Sequence, residues 1–75
     1  MKLKELKVGE TGQITGFSTA DAQYRQKLLR MGLTKNASFE VVRKAPLGGP
    51  IEIEVRGSRV VLRSDEADVL EVEKQ

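Results

Sequence analysis

The sequence predicts a mainly β protein: a small barrel or sandwich of about five short strands with one helix between the first and second of them. Three observations lead there. Short segments rich in Val, Ile and Phe recur along the chain, separated by tight glycine- or proline-bearing turns. Only one stretch has its apolar residues at helical spacing. The chain has 75 residues, enough for one domain (residues 1–75) near the lower practical limit, which buries only about 60% of the surface its unfolded form exposes.

Taken in order, MKLKELKVGE offers Leu3, Leu6 and Val8 either as a leading strand or as a segment packed across the barrel. Thr11 to Phe17 is strand-like, with Gly12 and Gly16 marking a bulge or a close backbone approach. From Thr19 to Met31 the apolar positions Ala20, Tyr24, Leu28 and Met31 form one helical face, expected to plug an open end of the barrel. Ser18 is the expected N-cap, with Asp21 three residues on. Gly32 suits C′, where the left-handed conformation carries no Cβ penalty, and Leu33 at C″ is then set to touch Leu28.

The second strand, Ser38 to Lys44, puts Phe39 and Val41 on one face and Val42 on the other. Ile51 to Val55 alternates cleanly, so Ile51, Ile53 and Val55 point inward and Glu52 and Glu54 outward. Arg59 to Arg63 follows a turn at Gly57-Ser58 short enough for a hairpin. A single-turn helix begins at Ser64, with Asp65 and Glu66 in its first turn and Ala67 behind them. Val69 to Glu73 closes the chain, with Leu70 and Val72 inward.

Composition excludes more than it selects. There is no cysteine and no histidine, so thiolate ligands, disulfides and the usual neutral-pH acid–base group are all missing. No G-x-S-x-G or Walker-type loop is present, and Gly48-Gly49-Pro50 lacks a following helix to hold phosphate. The expectation is a non-enzyme, with no catalytic residues, no cofactor and no tight metal site. Glu52 with Glu54 reads as a solvated strand face, and Asp65, Glu66 and Asp68 as helix-start acids. No window approaches the roughly 18 apolar residues of a membrane helix. The N-terminal stretch is too charged for a secretory signal. The chain therefore reads as soluble and cytoplasmic. Charge is uneven: residues 1–47 carry nine bases and four acids, a balance of +5, and residues 48–75 carry four bases and seven acids, a balance of −3. Most of this is ordinary solvated surface, but residues 25–30 and 43–44 gather a basic face suited to an acidic partner or phosphates.

The loop KAPLGGP is unusual, because turns normally carry polar residues and here Leu47 is the only sizeable side chain between Pro46 and Pro50. Two arrangements satisfy it. Leu47 folds back over the barrel end against Tyr24 or Leu28, or it is offered to a partner from a loop whose prolines reduce the entropy cost of docking.

Tyr24-Arg25-Gln26-Lys27-Leu28-Leu29-Arg30-Met31-Gly32-Leu33, then Phe39 to Arg43, then Ala45-Pro46-Leu47-Gly48-Gly49-Pro50-Ile51, together resemble the FeoA family. The resemblance runs from about Gly12 to Val72, including Val60-Val61-Leu62-Arg63 and Ala67. It implies an SH3-like barrel and an accessory or regulatory role in bacterial ferrous iron uptake. It also implies a partner, the FeoB-type membrane transporter with its cytoplasmic GTPase domain, which would recruit the chain to the inner face of the membrane. The expected partner-binding residues are Tyr24, Arg25, Lys27 and Arg30 on the helix, with Pro46, Leu47, Gly48, Gly49 and Pro50 on the loop. The chain departs from the family pattern at Thr34-Lys35-Asn36-Ala37, where Pro-Gly is common. Asn36 tolerates the left-handed region nearly as well as glycine. It also departs at Gly49-Pro50, which lacks the aspartate often found there.

Two other readings remain open at the level of sequence. A small β-barrel can bind single-stranded nucleic acid, although only Phe17, Tyr24 and Phe39 are aromatic and the net charge is +2, a weak stacking and electrostatic footprint. A self-associating structural module is the other, with the alternating segment Ile51 to Val55 pairing as an exposed edge.

Overall fold

The computed structural model describes residues 1–75. Its strands are β1 (Thr11–Phe17), β2 (Ser38–Lys44), β3 (Ile51–Val55), β4 (Ser58–Leu62) and β5 (Leu70–Lys74). They form one antiparallel sheet in the order β4-β3-β2-β1-β5. Helix α1 (Ala22–Arg30) lies between β1 and β2 in the chain, and the short α2 (Ser64–Val69) between β4 and β5. A 3-10 turn, Leu3–Glu5, precedes the sheet.

Alternation decides which strand residues meet. Ile51, Ile53 and Val55 are buried while Glu52 and Glu54 are half-buried on the other face, as a period of two requires. Phe39 and Val41 on β2, Ile14 on β1, Leu62 on β4 and Leu70 and Val72 on β5 complete the strand share of the core. Leu3 and Leu6 close it from the N-terminal segment, and Leu28, Leu33, Ala37 and Ala67 from the helices and loops. Of the two arrangements open to the first ten residues, packing across the sheet is the one adopted, with Val8 left exposed.

The glycines of β1 differ in purpose. A Cβ at Gly12 would sit 2.7 Å from the Phe39 ring and 2.8 Å from the Glu73 carbonyl, so the close approach demands glycine. Gly16 instead marks an irregularity, since the β1–β5 register shifts between Ile14 and Gly16.

Helix α1 is shorter than its apolar spacing suggests. Its N-cap is Asp21, not Ser18: one Asp21 carboxylate oxygen accepts the Gln23 and Tyr24 N–H groups at 3.0 and 3.2 Å. Ser18 is held elsewhere. Its N–H donates to the Val69 carbonyl, while its hydroxyl donates to Glu71 and accepts from Lys2 Nζ. Ala20 therefore falls outside the helix and is exposed. The C-terminus matches the sequence reading. Gly32, at φ +88°, sends its N–H to the Leu29 carbonyl, and the Leu33 N–H reaches the Leu28 carbonyl at 3.2 Å, the two bonds of a Schellman motif. Asn36 takes φ +74° in the turn that follows.

One expectation about the sheet is overturned. β3 pairs with β2 on one side and β4 on the other, so Ile51–Val55 is an internal strand with no free edge for a second copy. Its alternation reflects one buried and one more solvated face of an internal strand.

Candidate functional site

The loop after β2 is closed by its own backbone. The Ala45 N–H donates to the Pro50 carbonyl at 2.9 Å, and inside that closure the Gly49 N–H donates to the Pro46 carbonyl at 3.2 Å. The turn Pro46-Leu47-Gly48-Gly49 has positive φ at both central residues, +60° at Leu47 and +73° at Gly48, the type I′ signature. Gly49 is required for space, because a Cβ there would lie 2.8 Å from the Ala45 methyl.

Leu47 is fully exposed, at 105% of its reference area. It does not fold back on Tyr24 or Leu28. Its left-handed backbone also sets Cβ against the neighbouring carbonyl oxygen, a cost of about 1–2 kcal/mol for a residue that is not glycine. Neither packing nor backbone preference accounts for a leucine here. Beneath the turn, a cleft of about 400 Å³ opens between Gly48 and Gly49 on one side and Ala67 and Asp68 of α2 on the other. Lys44 borders it with its ammonium spent on the Lys4 and Leu6 carbonyls, at 2.8 and 3.0 Å. Pro46 and Pro50 are exposed at the two ends of the loop.

On α1 the four expected residues separate by role. Arg25 and Arg30 are exposed and make no ion pair. Arg30 lines a shallow groove along the helix with Ala22, Gln23 and Gln26. Lys27 is committed: its ammonium lies 2.9 Å from Glu66, a side chain only 7% exposed, and 5.8 Å from the Tyr24 ring centre. Lys27 thus anchors α1 to α2, although its side chain remains half exposed. The Glu66 carboxyl titrates below its ordinary value because it accepts from Lys27 and from the Arg63 backbone N–H. Tyr24 moves the other way. Its hydroxyl is buried without a hydrogen-bond partner, and desolvation, with Asp65 and Glu66 nearby, raises the phenol.

The helix and loop groups share a neighbour. α2 meets α1 through Glu66 and borders the Leu47 cleft through Ala67 and Asp68. Sequence reasoning took Glu66 as a helix-start acid and missed the pair with Lys27. The available signal was its position three residues after Arg63, from which it reaches back to the Arg63 N–H.

The other carboxylates are occupied in similar ways. Glu52 lies between Arg43 and Arg59 at 3.8 and 3.6 Å, and Arg59 also reaches Glu54. Lys74 holds Glu10, and Lys2 with Ser18 holds Glu71, which lowers both carboxyls. No three Asp, Glu, His or Cys side chains are grouped to hold a metal ion. No helix is long and apolar enough to cross a membrane.

Comparison with known proteins identifies the family. The FeoA domain family model matches residues 1–74. A Campylobacter jejuni protein carrying the provisional name Fe(2+) transport protein A is 35% identical over 72 residues, with 96% of each chain covered. The solution structure of iron(II) transport protein A from Clostridium thermocellum superposes at TM-score 0.88 with 35% identity. That match covers 99% of this chain, which spans 45% of the Clostridium chain. The zinc complex of Stenotrophomonas maltophilia FeoA, described as a prokaryotic SH3 domain protein, matches at TM-score 0.81 with 26% identity, over 97% of this chain and 89% of its own. The five-stranded sheet is thus of the SH3-like kind.

Proposed function

The chain belongs to the FeoA family, and from that premise we propose that it is a cytoplasmic accessory protein of ferrous iron transport that works by docking. Its partner is the GTPase-bearing FeoB-type transporter, which holds it at the inner face of the membrane, and Leu47 is the leading contact. The observation that carries the reading is Leu47 itself, fully exposed and at positive φ on a loop closed at both ends. Strain and exposure together at one leucine have no counterpart gain within the chain, and backbone outliers of this kind concentrate at functional sites. A pre-closed loop also loses little freedom when a partner grips it. Arg25 and Arg30, unpaired on α1, supply the charged part of the surface.

The test is an NMR titration of the isotope-labelled chain with the cytoplasmic GTPase domain of its cognate transporter. Docking predicts amide shifts clustered on residues 24–33 and 45–50, and their loss in Leu47→Asn. Shifts that avoid both segments, or persist unchanged in Leu47→Asn, reject the reading.

A further inference from the structure

The two ends of the sheet are finished differently. The outer edge of β5 is covered by the N-terminal segment: Lys2 bridges to Glu71, and the Val72 N–H donates to the Met1 carbonyl at 2.9 Å. β4, at the other end, pairs only with β3. The turn between β3 and β4 is Arg56-Gly57, with φ +52° and +80°, a two-residue hairpin in which Val55 faces Ser58. The flanking pair of such a hairpin is hydrogen-bonded. Alternation along the ladder then turns Val60 and Leu62 to β3, and aims the backbone N–H and C=O groups of Arg59 and Val61 away from the sheet. No turn, loop or side-chain hydrogen bond takes up those outward groups.

This edge lacks two of the usual protections, and Arg59 is its one charged side chain. It has no proline, and its register with β3 is unbroken from Ser58 to Leu62, whereas the β1–β5 and β2–β3 ladders both carry irregularities. Its apolar side chains are incompletely covered. Val61 is 59% exposed on the outer face, and Val60 packs only partly against the core. One further strand would satisfy the free backbone groups and cover both valines.

We propose that the outer edge of β4 is a strand-addition site for an extended acidic segment of another protein. Charge selects the occupant. Residues 55–64 contain Arg56, Arg59 and Arg63 and no acidic residue. Arg56 bonds the Thr34 hydroxyl, Arg59 is shared between Glu52 and Glu54, and Arg63 has no carboxylate partner. A second copy pairing through the same edge would double these arginines along one seam, a like-charge arrangement that opposes association. An acidic strand meets them with opposite charge while its backbone completes the ladder. The site is separate from the Leu47 tip and does not rest on docking to the transporter.

Amide hydrogen exchange on the full labelled chain tests this directly, with a short peptide alternating glutamate and valine as the probe and one alternating lysine and valine as its control. In the free, dilute protein the Arg59 and Val61 amides should exchange fast, and those of Val60 and Leu62 slowly. The acidic peptide in excess should slow Arg59 and Val61 by about tenfold or more, and the basic peptide should not. Val61→Pro removes one outward donor without touching the β3 ladder, and should weaken binding of the acidic peptide about three- to tenfold. The wild-type exchange pattern decides the matter even if that variant folds poorly. The proposal is overturned if Arg59 and Val61 are already protected in the free chain, or if the acidic peptide protects neither. Equal protection by both peptides overturns it too. Protection that rises with protein concentration alone would make a second copy the occupant and overturn the choice of partner.

Discussion

Leu28 and Leu47 are the same residue type in opposite circumstances. Leu28 is completely buried, in a helix whose end is tied by the Schellman bonds of Gly32 and Leu33. Leu47 is completely exposed, in a turn whose backbone disfavours any side chain. A second turn sharpens the contrast. Arg56-Gly57 has the same pair of positive φ angles, but the residue it strains is polar and bonds Thr34. Positive φ outside glycine thus occurs three times: at Asn36, a residue type that tolerates it, at Arg56 with a compensating contact, and at Leu47 with neither. Leu28 belongs to the energetics of folding, whereas the cost at Leu47 is borne by the folded chain with no return from its own packing.

The largest effect should come from Leu28→Ala. Emptying this site should cost about 2–5 kcal/mol, which approaches the about 3–5 kcal/mol that a core this small usually supplies. Urea denaturation reads it, and a loss below about 1 kcal/mol would break the assignment of Leu28 as the anchor of α1.

Next is the anchor's polar half. Lys27→Met leaves the buried Glu66 carboxylate with only the Arg63 N–H, and should cost about 1–2 kcal/mol at neutral pH, moderated by the half-exposed position of the lysine head. Its pH signature separates it from loss of packing. The Glu66 carboxyl is lowered in the folded chain, so its contribution is present above the unfolded value and is lost as pH falls through the folded one. Removing Lys27, the largest cause of the lowering, should flatten that acid-side loss. An unchanged acid limb in Lys27→Met would show that the pair contributes nothing to stability.

The smallest change has the opposite sign. Leu47→Asn keeps the turn while relieving left-handed strain, so stability should rise by about 0.5–1 kcal/mol. The same substitution should weaken transporter docking about tenfold or more. A variant that gains stability and loses binding sharpens the contrast with Leu28. A variant that loses stability would mean that Leu47 packs after all, and that the two leucines differ only in degree.

Where the expected site was legible, the information was local. KAPLGGP announced a rigid apolar tip, and the structure closes that loop with hydrogen bonds between residues at most five apart, from Ala45 to Pro50. The pairing of Lys27 with Glu66 was not legible, because the two lie in different helices and no periodicity reports such a contact. Ser18 and Asp21 were both good caps within one short stretch. Contacts of Ser18 with Lys2, Val69 and Glu71, all distant in sequence, left the helix to Asp21.

By itself, the sequence determined what short-range physics can write. Alternation set the inward faces of β2 and β3, and the Gly32-Leu33 end stopped α1. The need for a residue without Cβ at Gly12 lies outside that set, because it comes from the Phe39 ring and the Glu73 carbonyl, both distant in sequence. Only the tertiary structure decided that β3 is internal, that the N-terminal segment covers β5 while β4 stays bare, and that Leu47 points to solvent. The reason is physical. A strand's face is set by its own period of two, but whether its edge is covered depends on which distant segment arrives beside it, and one side chain's exposure depends on everything that does not.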